Sequence, residues 1–118
     1  SETAGNWATS TLAKDKIEMA ADQKYEPYVP ASKEALLARF DKETAEAKAV
    51  LAGFTPAQWD ANWKFVAGDQ TWINDTKYEV WRTWVMNHLT HHRAQLGVYL
   101  RLLDKPLPGT YGPSADGM

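Results

Sequence analysis

Residues 76–103, TKYEVWRTWVMNHLTHHRAQLGVYLRLL, decide how this 118-residue chain folds. The segment opens with Thr76-Lys77-Tyr78-Glu79, the pattern of a capping box, in which a hydroxyl and a carboxylate satisfy free amides at a helix start. Helical spacing then continues until Pro106 and Pro108, which cannot be accommodated in a helix. The sequence therefore predicts a long last helix that ends at about Leu103.

A second helix is predicted upstream of this segment. Ser32 stands as its N-cap, and Gly53 marks its end. The apolar residues between them share one face of a helix, and they are Leu36, Leu37, Phe40, Ala47 and Leu51. Thr55-Pro56 has the residues of an N-cap and a first helical position, so one further turn is predicted to reach Asp60.

The remaining segments are predicted to be shorter. Trp63-Lys64-Phe65-Val66 and Thr71-Trp72-Ile73 flank Gly68-Asp69-Gln70, which predicts a small hairpin or extended crossover before the last helix. Residues 20–31 contain two prolines and are predicted to form a linker. Residues 2–14 follow helical spacing from the outset, so we expect that helix to begin partway through and the amino terminus to be truncated or processed.

Composition excludes several classes of function. Fifteen acidic residues stand against 13 basic residues, the formal net charge is -2, and cysteine is absent. Scattered cations of this kind provide no footprint for nucleic acid or an anionic membrane. Without cysteine, any metal must be bound by nitrogen or oxygen ligands. No apolar run reaches the roughly 20 residues of a membrane-spanning helix, so we expect one soluble, cytoplasmic domain over residues 1–118.

All three histidines lie within five residues of the last helix. At about 100 degrees per residue, His88 and His92 project only about 40 degrees apart, so both rings could bind one metal ion. His91 projects to the other side of His88 and is expected to be a neighbouring or interface group. The same helical face carries Trp81, Trp84, Gln95, Tyr99 and Leu102.

Two explanations of this pair stay open at this point. The histidines could be ordinary buried residues with hydrogen-bond partners. Alternatively, a shared divalent cation could bind both imidazoles, which would otherwise each need a partner in an apolar setting. Because catalytic zinc usually has three protein ligands, a metal site would need a third ligand from another element.

The segment Asn87 to Arg101, NHLTHHRAQLGVYLR, closely resembles the carboxyl-terminal part of DinB-family proteins. That family has His-x-x-His-His-Arg-Gly-Gln here, with Ala94 replacing the glycine, followed by a closing Tyr-Gly-Pro-Ser-Ala-Asp, which is residues 111–116. Residues 36–41 and 68–71 also resemble family positions. The resemblance therefore covers nearly the whole chain, but weakly before residue 30.

The resemblance implies an all-α fold: a DinB/YfiT-like up-down four-helix bundle, here lacking its first helix. It implies that His88 and His92 are metal ligands for Zn²⁺ or Ni²⁺ and that His91 is not a ligand. The family's other ligand histidine corresponds to a position just before this chain begins. A three-histidine site within this polypeptide is therefore expected to be incomplete.

The resemblance also implies two functional hypotheses. In the first, the protein binds a divalent metal and could act as a hydrolase or a thiol S-transferase, with a small molecule or low-molecular-weight thiol as substrate. Its pocket would be bounded by Trp81, Trp84 and Tyr99, and Gln95 could orient substrate or water. In the second, it is a non-catalytic helical dimer or stress-associated structural protein without a functional metal site. Both include a homodimer, in which the helix around Trp7 and the last helix form the interface.

Overall fold

The computed structural model describes Thr9 and residues 13–24 and 26–116. Its internal contacts divide the chain into two units, Ser1–His88 and Leu89–Met118, which are described separately. The elements in chain order are β1 (Lys16–Met19), α1 (Lys33–Ala52), α2 (Pro56–Asp60), β2 (Asn62–Ala67), β3 (Gln70–Thr76), α3 (Lys77–Val80), a π-helical segment (Trp81–Met86) and α4 (Asn87–Leu102).

The strands form one mixed sheet in the order β1-β2-β3. β1 runs parallel to β2, in a register that pairs Lys16 with Lys64 and Met19 with Ala67. β2 and β3 are antiparallel, with a register irregularity between Phe65 and Val66. Along β1 exposed and partly buried residues alternate, which is the period of a strand with one covered face.

The hairpin between β2 and β3 turns at Gly68, whose φ is +57°. A positive φ at the first position of a two-residue loop favours glycine, as in type II′ turns. The backbone N–H of Gly68 also donates to the carbonyl of Met19 at 3.1 Å. A Cβ added to Gly68 would lie 3.0 Å from the Cβ of Ala21. Glycine therefore permits both the turn and the close approach of the chain that follows β1.

The core of the first unit is centred on Trp63 of β2, which is 0% exposed. Ile73 of β3 and Val80 of α3 complete the buried cluster, while Ile17 of β1 and Phe65 pack against it. The indole N–H of Trp63 has no hydrogen-bond partner among the described residues. Burial of that donor costs free energy, so the apolar contacts of the ring must outweigh it.

The prediction of an all-α, DinB/YfiT-like four-helix bundle is wrong, because the described residues contain a three-stranded sheet. The sequence analysis predicts no strand over Lys16–Met19, yet the alternation of exposed and partly buried residues there is that of a half-covered strand. The hairpin is therefore not an attachment to a bundle. It provides the middle strand of the sheet and the most buried side chain of the unit.

Several local predictions are confirmed. α1 is capped by the Ser32 side chain, which accepts from the N–H of Ala35, and α2 begins with a complete capping box at Thr55. The hairpin is present, and the last helical run ends at Leu102. Of the predicted helix over residues 2–14, only Thr9 is described as helical. Most of that helix, including Trp7, lies outside the described residues.

In the second unit, the segment after α4 is tied back by Asp116. One carboxylate oxygen of Asp116 accepts from Arg101 at 2.7 Å, and the other accepts from the N–H of Leu107 at 2.8 Å. Ser114 donates its hydroxyl to the carbonyl of Leu107 at 3.2 Å. First the Arg101 hydrogen bond and then the Leu107 N–H hold the pKa of Asp116 below its ordinary value. The carboxylate thus anchors the closing segment.

Within the described residues, no helix combines the length and the apolar character needed to cross a membrane. The predicted cytoplasmic location stays a prediction.

We expect Trp63→Ala to lower the free energy of unfolding by about 3–5 kcal/mol, since it empties the centre of the core. Trp72→Ala is the matched control, because Trp72 lies on the adjacent strand and is 66% exposed. That change should cost less than about 1 kcal/mol. Urea unfolding followed by circular dichroism measures both, and equal losses would contradict the assignment of the core.

The Leu107 amide proton should report the titration of Asp116, because it donates directly to that carboxylate. Because the pKa of Asp116 is lower in the folded than in the unfolded state, its carboxylate stabilises the folded segment fully above about pH 4. This stabilisation is lost as the pH falls through the folded-state pKa. NMR titration should therefore give a midpoint below about 3.9. Asp116→Asn should abolish the titration. A midpoint at or above the ordinary aspartate value would contradict the anchor.

Candidate metal centre

The candidate site lies on the helical run that begins at Thr76. The Thr76 hydroxyl accepts from the N–H of Glu79 at 3.2 Å, which satisfies one free amide at the start of α3. The next residues are π-helical, and the N–H of Asn87 donates to the carbonyl of Arg82, five residues back. Regular α-helix then resumes at Asn87. Angular offsets counted at 100 degrees per residue therefore hold within α4 but not across the π-helical segment.

All three histidines lie on α4, and all three are exposed. His88 and His92 are four residues apart on this helix, a spacing that makes side chains neighbours on a helical surface. The rings of His91 and His92 meet edge to face with centroids 5.1 Å apart. The predicted ligand pair therefore falls on regular α-helix, where its spacing applies.

A hydrogen bond joins His92 to Gln95, with Nδ1 of His92 at 3.1 Å from Oε1 of Gln95. With the amide oxygen of Gln95 as the acceptor, the tautomer that satisfies this bond carries its proton on Nδ1. In the neutral ring, Nε2 then carries the lone pair that a metal ion needs. Histidine ligands commonly donate their other ring N–H to an acceptor of this kind, which fixes the tautomer and the ring orientation.

The aromatic residues predicted to bound a pocket have different surroundings. The ring centroid of Trp81 lies 6.3 Å from that of Trp59, which in turn lies 4.7 Å from the ring centroid of Phe54. Trp81 therefore belongs to an aromatic cluster of the first unit. Trp84 and Tyr99 are exposed, Tyr99 with 63% of its surface accessible. The role of these residues in a substrate pocket stays a prediction.

The chemistry of the donors fits two positions of a metal site and does not complete it. Among the residues that the structure describes, no group of three or more histidine, cysteine, aspartate or glutamate side chains could hold a metal ion. Among the residues of the printed sequence that the structure does not describe, Glu2 alone is a histidine, cysteine, aspartate or glutamate. No third protein ligand is therefore found among the described residues.

The sequence was compared with family models, with curated proteins and with solved structures. The model of the DinB family matches residues 3–118. This chain belongs to the DinB family. No curated protein and no solved structure matches it. DinB membership confirms the resemblance given by the histidine motif, while the metal, the substrate and the residue roles stay predictions.

In this DinB-family chain, the closing residues 111–116 that carried part of the resemblance have a structural use. Ser114 accepts from the N–H of Asp116 at 3.2 Å and donates to Leu107, while the Asp116 carboxylate pairs with Arg101 of α4. These bonds lie within the second unit and hold the closing segment along the helix that carries His92. The Ser-Ala-Asp sequence is therefore explained by anchoring.

No sequence signal indicated one charged pair, Lys77 and Asp15. Lys77 stands at the predicted start of the last helix, where a lysine side chain is normally solvated. The structure instead buries the Lys77 side chain and pairs it with Asp15, 62 residues earlier in the chain. A pairing over that separation is set by the tertiary fold.

Proposed function

We propose that this DinB-family protein binds a divalent metal ion, Zn²⁺ or Ni²⁺, through His88, His92 and a third ligand outside the described residues. The hydrogen bond from His92 to Gln95 carries the proposal, because it places the ring proton on Nδ1 and directs coordination to Nε2. The DinB family is generally metal-binding, which supports the same conclusion.

The proposed activity is metal-dependent hydrolysis or transfer to a low-molecular-weight thiol. A divalent ion held here supplies Lewis acidity, which generates a nucleophile from water or a thiol near neutral pH. The protein's own part is to orient the ligands: His88 and His92 bind, and Gln95 holds the His92 proton at Nδ1. Tyr99, which lies in the same unit as His92 and is exposed, offers apolar surface for the body of a small substrate.

We further propose a homodimer. α4 contains no buried residue, and its exposed apolar side chains are Leu89, Leu96, Val98, Tyr99 and Leu102. A helix with this many exposed large apolar side chains is expected to be covered by another chain. A second copy could also donate the third metal ligand. A non-catalytic dimer is the alternative function, since the described residues hold no group of three metal-binding side chains.

Metal analysis of the purified full chain tests the proposal. After loading with Zn²⁺ and dialysis at neutral pH, we expect near-stoichiometric metal, which His88→Ala and His92→Ala should each abolish. His91→Ala is the matched control and should retain the metal. Absence of metal from the unmodified protein, or its retention in both ligand variants, would support the alternative function.

Two further variants separate the parts of the site. Gln95→Leu should weaken Zn²⁺ binding by about 10- to 100-fold, the usual effect of removing a group that orients a ligand. Glu2→Gln should weaken binding only if Glu2 is the third ligand. If a second copy donates the third ligand, separated monomer and dimer fractions should differ, with metal found in the dimer alone.

A further inference from the structure

The first unit contains a buried cation that the proposed metal site does not use. The side chain of Lys77 is only 8% exposed, and its Nζ donates to Oδ1 of Asp15 at 2.9 Å. The backbone N–H of Lys77 donates to the carbonyl of Ala61 at 2.9 Å, so the residue is fixed at the start of α3. Lysine is almost never fully buried unless it is paired. The position of this ammonium group therefore depends on a counter-ion.

Lys77 and Asp15 are among the residues that line an open cavity of about 510 Å³. That volume is within the range of about 300–1,000 Å³ that is usual for small-molecule sites. The cavity also contacts Gln58, and the rest of its wall is apolar or small. This apolar part consists of Ala13, Val50, Gly53, Phe54, Ala57 and Ala61. A charged group on an apolar wall is the arrangement that fixes the orientation of an amphipathic ligand.

The present counter-ion of Lys77 is easily displaced. The side chain of Asp15 is 87% exposed, although its partner is buried. Its backbone is held separately, because the carbonyl of Asp15 accepts from the N–H of Lys64 at 3.2 Å. Rotation of the Asp15 carboxylate into water would therefore leave the strand pairing intact. The rotation would cost little, because this carboxylate is already mostly hydrated. Lys77, in contrast, cannot leave the cavity wall without unpacking.

We propose that this cavity binds a small monocarboxylate with an apolar body, whose carboxylate replaces that of Asp15 at Nζ of Lys77. The group to be replaced is a single carboxylate, so the ligand proposed for this position is likewise a carboxylate. The ring of Phe54, whose centroid lies 5.9 Å from Nζ, provides a surface for the apolar body next to the charge. None of the residues proposed to bind metal lines this cavity.

Calorimetric titration of the full chain with 3-phenylpropionate tests the proposal, with 3-phenylpropionamide as the uncharged ligand of equal shape. The acid should bind at least about tenfold more tightly than the amide, because a hydrogen bond to a charged group is gained only by the acid. Asp15→Asn removes the competing carboxylate and should tighten binding of the acid several-fold. Lys77→Met should reduce binding of the acid to the level of the amide.

Lys64→Met is the matched control, because the Lys64 side chain is exposed and its backbone N–H donates to the carbonyl of Asp15. It should leave binding of the acid unchanged. Equal affinities for acid and amide, or no binding of the acid to either the unmodified protein or Asp15→Asn, would overturn the proposal and leave a purely structural ion pair. If Lys77→Met fails to fold, the comparison of acid with amide and the Asp15→Asn variant still decide.

Discussion

Complete burial of Trp63 is the constraint on which the described sheet depends. The residue lies on the middle strand, so its large ring needs cover that one hairpin cannot provide. Ile73 comes from the hairpin partner, Val80 from the short helix that follows, and Ile17 from a strand on the far side of α1 in the sequence. Parallel pairing of β1 with β2 thus completes the core, and the hairpin becomes the centre of a mixed fold.

The sequence predicted the features that are set by local chemistry. Ser32 and the Thr55 capping box start their helices, and proline follows the last one. β1 was missed because it is only four residues long, and so short an alternation of charged and apolar side chains does not identify a strand until its distant partner is known. The π-helical segment was missed for a different reason: a helical wheel assumes one constant period, and the bond from Asn87 to Arg82 departs from it.

The same distinction between local and non-local features applies to the candidate metal site. Its two proposed imidazole ligands, which the spacing of a local motif and the DinB resemblance both suggested, lie on α4. The hydrogen bond of His92 with Gln95 also joins residues within one helical turn. Its effect on the ring tautomer, however, can be inferred only once the positions of the atoms are known. The third ligand is non-local, as is the partner of Lys77, and sequence spacing carries no information about either. DinB membership adds the family and leaves the chemistry to be measured.

The central functional claim is that one turn of α4 provides two imidazole ligands to the same ion. X-ray absorption spectroscopy of the Zn²⁺-loaded full chain tests it most directly. The account predicts outer-shell scattering from two imidazole rings per zinc, with Zn–N distances of about 2.0–2.1 Å. Scattering from a single imidazole, or a shell of oxygen ligands alone, would contradict it.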